Sequence, residues 1–60
     1  MMDQLIKLIE EKDWEHKVLY NELGQKEAIY FVLGELKQEV ILFKDKEGQI
    51  EDYINLIKEW

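Results

Sequence analysis

The sequence predicts an α+β domain of order α-β-β-β-α, in which a three-stranded antiparallel sheet carries N- and C-terminal helices packed on one face. Three observations predict it. Apolar residues recur at helical spacing at both ends of the 60-residue chain, β-branched and aromatic residues crowd its middle, and its three glycines are isolated between such segments. Residues 1–60 read as a single domain, without a linker, an internal repeat or a low-complexity tract.

From Met2 to Lys12, residues Met2, Leu5, Ile6, Leu8 and Ile9 fall on one side of a helical wheel, with Asp3, Gln4, Lys7, Glu10 and Glu11 on the other. This is an amphipathic helix with one stripe to bury. Next, Trp14, His16, Val18 and Tyr20 alternate with Glu15, Lys17, Leu19 and Asn21, the period of a strand, and Leu23-Gly24-Gln25 supplies a glycine able to take positive φ in the following turn. Ala28 to Leu33 and Val40 to Phe43 would be apolar all round if wound as a helix. Their Ile, Val, Tyr and Phe content suits strands, and Gly34 to Gln38 turns the chain between them. Asp45 to Gly48 is the next turn. It leads into a helix from Gln49 to Trp60, whose stripe is Ile50, Tyr53, Ile54, Leu56, Ile57 and Trp60. Acids at Glu47, Glu51 and Asp52 sit near its positive start and Lys58 near its negative end, each worth a few tenths of a kcal/mol.

If both helices cover one sheet face, the other face holds apolar residues as well. Either Ile29, Phe31 and Leu33 or Ala28, Tyr30 and Val32 lie there. Twist and long side chains can shield such residues in a monomer. The alternative is a structural or interaction module that homodimerises or docks on a partner through that face, with Tyr30, Val32, Val40 and Leu42 among the contacts.

Composition removes most catalytic chemistry. The chain has no Ser, Thr, Cys, Arg or Pro and a single histidine, His16. Acyl transfer, triad hydrolysis and structural zinc sites therefore lack their parts, and no enzyme, cofactor or metal is expected. His16 and Glu15 are neighbours on a strand and point to opposite faces, so they do not form a pair. The pairs Glu10/Glu11 and Glu51/Asp52 diverge by about 100° on their helices and read as solvated. Gly24, Gly34 and Gly48 form no phosphate-binding loop.

Fourteen acids against 8 lysines give a net charge of −6, which disfavours direct contact with nucleic acid or anionic lipid. No run approaches the 18 or so apolar residues of a membrane span, no signal peptide is apparent, and a cytoplasmic location is expected. The acidic excess can be solubility alone, since lysines interrupt every acidic run. It can also be a decoy. Carboxylates at alternate strand positions repeat at about 6.6 Å, near the spacing of successive phosphates, and would suit the basic groove of a protein that reads nucleic acid.

The first helix with Leu5-Ile6-Lys7 and Ile9, the Lys12-Asp13-Trp14 step into the strands, and the final segment with Ile54, Lys58 and Trp60 together resemble the small acidic phage-encoded anti-CRISPR proteins that inhibit Cas9. The resemblance spans nearly the whole chain at the level of architecture. It implies a non-enzymatic inhibitor, acting in the host cell, that occupies the channel where Cas9 reads the PAM and sets carboxylates where DNA phosphates and guanine acceptors would meet basic side chains. By position, Asp13 would be a contact after the first helix, and Glu35, Gln38 and Glu39 would be presented by the hairpin, which reads Gly34-Glu35-Leu36-Lys37-Gln38 at its turn. Glu15 completes the candidate set for a basic partner.

Overall fold

In the computed structural model, which describes all 60 residues, the chain begins with helix α1 (Met2–Glu11), whose Met2, Leu5, Ile6 and Ile9 are buried. The helix stops at a left-handed residue. Asp13 takes φ 59°, its N–H donates to the Glu10 carbonyl at 3.0 Å, and the N–H of Trp14 reaches back to the Ile9 carbonyl at 3.3 Å. That pair of closing bonds satisfies carbonyls a helix end leaves orphaned, in a geometry usually built on glycine.

Strand β1 (His16–Tyr20) pairs antiparallel with β2 (Lys26–Leu33), which pairs antiparallel with β3 (Gln38–Phe43), giving the sheet order β1-β2-β3. The β1–β2 turn is tied by Asn21, whose Oδ1 accepts from the backbone N–H of Leu23 at 2.9 Å and of Gln25 at 3.0 Å. Gly24 then takes φ 78°, as the sequence leads one to expect. Between β2 and β3 a single 3-10 turn (Gly34–Leu36) is closed by Lys37 at φ 51°. Helix α2 (Glu47–Lys58) completes the order α-β-β-β-α.

Both helices lie on the same sheet face. Twelve residues form one core: Met2, Leu5, Ile6 and Ile9 from α1, Ile29, Phe31 and Leu33 from β2, Val40 and Leu42 from β3, and Ile50, Ile54 and Ile57 from α2. Cross-strand partners share a face, and the register pairs Phe31 with Val40 and Ile29 with Leu42. Val40 and Leu42 are therefore buried under the helices, not placed on the open face where the sequence reading put them. Ile41 and Phe43 stand outward in their stead, 48% and 45% exposed.

Phe31 meets Tyr53 of α2 edge to face with ring centroids 5.8 Å apart, and Trp14 meets Trp60 in the same manner at 5.5 Å, so the chain's end is fastened to the entry of β1. Tyr20 departs from its expected alternation. The register shifts between Leu19 and Tyr20, and Tyr20 is exposed. Leu56 is exposed too, because at about 100° per residue it lies well round the helix from the line of Ile50, Ile54 and Ile57.

Candidate functional site

The face left open by the helices is built in three cross-strand rows. Leu19, Ala28 and Phe43 form the first, Lys17, Tyr30 and Ile41 the second, and Glu15, Val32 and Glu39 the third, where the Val32 N–H donates to the Glu15 carbonyl at 2.9 Å. The first two rows are largely apolar. Ala28, flanked by the larger Leu19 and Phe43, has no exposed surface, whereas Tyr30, Val32 and Leu19 are half-buried. An apolar strip thus runs into a charged end.

The charged end is acidic. Glu15 and Glu39 flank Val32 two strand spacings apart, roughly 10 Å, and with Asp13 they line one shallow concavity whose floor is Tyr30 and Val32 and whose only cation is Lys37. Asp13 is there because its left-handed backbone turns the chain out of α1 at that point, a position glycine would fill without strain but also without a carboxylate.

These carboxylates carry no ion-pair partner. The one salt bridge in the protein joins Asp3 and Lys26 at 2.7 Å, at the opposite end of the sheet. It holds the Asp3 carboxyl below and the Lys26 ammonium above their ordinary ranges, through the hydrogen bond first and charge second. At the acidic end the single polar tie is between side chains of the same face: Tyr30 Oη donates to Glu39 Oε1 at 2.9 Å. That bond pushes the Tyr30 phenol above its ordinary value, assisted by partial desolvation and by the charges of Glu39 and Glu15.

Of the five residues singled out from the sequence, the structure brings together Asp13, Glu15 and Glu39. Glu35 projects from the 3-10 turn at the same end and is exposed, outside the concavity. Gln38 shares parity with Val40 and Leu42, so it faces the helix side and lines a separate groove with Gln49, Asp52 and Tyr53 of α2. Sequence reasoning missed the Tyr30–Glu39 link and the left-handed backbone of Lys37. The first is a diagonal cross-strand contact, visible once the register pairs Tyr30 with Ile41. Nothing in the sequence signals a left-handed lysine.

His16 lies on the helix side, half-buried, where Nδ1 donates to the Trp14 carbonyl at 2.8 Å. No three His, Asp or Glu side chains gather in a way that would hold a metal ion. What the open face can do chemically is accept: carboxylate oxygens at one end for lysine or arginine, and an apolar strip beside them. Comparison of the chain with protein-family models, with curated proteins and with solved structures returns no match.

Proposed function

We propose that this chain is a non-enzymatic binding protein that seats its open sheet face against a basic groove on another protein. The observation that supports it is the convergence of Asp13, Glu15 and Glu39, none ion-paired, beside the apolar strip of Tyr30, Val32, Ile41 and Phe43. Unneutralised carboxylates on a net-negative domain steer a basic partner into contact, and the apolar strip supplies the burial that holds it. A groove that reads nucleic acid through arginine and lysine has the matching chemistry. The PAM-reading channel of a Cas9-type effector is such a groove, and in it this protein would act as an acidic mimic of DNA.

The test is competition. Guide-loaded Cas9 is incubated with a PAM-containing duplex and increasing amounts of the protein, at low and at high salt. The proposal expects loss of duplex binding that weakens as salt rises, and loss of the competition in the variant carrying Asp13→Asn, Glu15→Gln and Glu39→Gln, with its circular dichroism spectrum unchanged. Undiminished duplex binding at every protein concentration rejects the DNA-mimic reading. Competition that the triple variant retains in full moves the contact elsewhere on the protein.

A further inference from the structure

The two edges of the sheet are not alike. β1 carries the charged Lys17 and, at Leu19/Tyr20, a register shift against β2, both of which discourage another strand from pairing there. β3 has its one charge, Glu39, near its start and no register shift. Val40 to Phe43 is an uncharged run without a bulge, and Ile41 and Phe43 are about half exposed.

The hydrogen-bond phase of this edge can be read from the ladder. The N–H of Lys44 donates to the Glu27 carbonyl at 2.8 Å, so with the register continuing by pairs it is the even-numbered residues of β3 that bond to β2. The N–H and C=O groups of Glu39, Ile41 and Phe43 therefore point away from the sheet. We infer that β3 is a self-pairing edge, which joins a second copy of the chain antiparallel about Ile41 into one six-stranded sheet.

Register, chemistry and closure agree on that occupant. A two-fold axis perpendicular to the sheet keeps each face on its own side and sets Ile41 opposite Ile41 of the second copy and Glu39 opposite its Phe43, all of them residues with outward backbone groups. Val40 then lies opposite Leu42 of the second copy, apolar against apolar. On the helix side Gln38 lies opposite Lys44 of the second copy, which brings that ammonium to the groove shared by Gln38 and Asp52, a groove with no lysine of its own. Because each chain offers one such edge and guards the other, the assembly closes at two and does not extend into a fibre. Both open faces fall on the same side of the joined sheet.

Sedimentation over a concentration series, paired with amide hydrogen exchange by NMR on the unaltered protein, tests the inference. The mass is expected to rise from 7.3 kDa to twice that value, while the Glu39, Ile41 and Phe43 amides gain protection in step and those of His16 and Val18 do not. Ile41→Pro removes an outward N–H that the monomer's ladder does not use, and is expected to keep the fold and abolish the dimer. A mass that stays at 7.3 kDa throughout, a dimer in which the Ile41 amide still exchanges freely, or assemblies that grow past two would each overturn it. A dimer broken by Val32→Lys on the open face but kept by Ile41→Pro would place the interface on that face instead.

Discussion

Gly34 is the residue on which most geometry converges. Its φ is +45°, and a Cβ built there would stand 2.6 Å from Cζ2 of Trp60 and 3.2 Å from Cζ2 of Trp14. Both objections act together. Gly34→Ala strains the backbone and expels the Trp60 indole from its edge-to-face contact, and is predicted to cost about 2 kcal/mol. That is a large share of the roughly 3–9 kcal/mol available to a domain of this size. Urea denaturation and a red-shifted tryptophan emission would check it; an unchanged midpoint would mean that the ring pair fastens nothing. Tyr30 gives a residue-scale prediction in pH. Its phenol titrates higher in the folded chain than in the unfolded one, so the bond to Glu39 contributes stability that is complete below the ordinary phenol value of 10.0 and is lost as pH rises through the raised one. Glu39→Gln is expected to lower the Tyr30 midpoint in ultraviolet absorbance; an identical midpoint would show that the carboxylate does not hold the proton.

At the scale of elements, both helices start poorly. Neither Met1 before α1 nor Lys46 before α2 makes a side-chain capping bond, and Lys46 puts a positive charge at the positive end of its helix. Lys46→Asp is therefore predicted to raise stability by about 1 kcal/mol, read as a shift in thermal midpoint; a fall would show that Lys46 is engaged in a way its backbone position does not reveal. The same element ends explain what was legible in the sequence. Periodicity found both helices, because Leu5, Ile6, Ile9, Ile50, Ile54 and Ile57 can be buried on one face only if wound as helices; alternation found the first strand, and side-chain type the other two. Which strand face the helices choose was not legible for β2 or β3. The parity of Val40 and Leu42 depends on the register across the β2–β3 turn, and that register is fixed by a 3-10 turn and a left-handed Lys37 for which the residues give no cue. Strand starts were also hidden. The ladder runs back to Lys26 and Gln38 through backbone pairing that polar side chains do not oppose.

For the whole molecule, the two helices cover one face of the three-stranded sheet and leave the other open. The acids sharpen that asymmetry. Asp13, Glu15 and Glu39 meet at one end only because a helix end, a strand start and a hairpin return coincide there, a juxtaposition that belongs to the tertiary fold and that the sequence could offer only as candidates beside Glu35 and Gln38. On the proposed reading, this acidic end is the protein's preferred seat for a basic surface. Residue-resolved NMR titration with an oligo-arginine peptide decides the matter. Early, salt-sensitive shifts at Asp13, Glu15, Val32 and Glu39, ahead of those at Glu47, Glu51 and Asp52 on α2, are the predicted result; shifts spread evenly over all the acids, or led by α2, would contradict it.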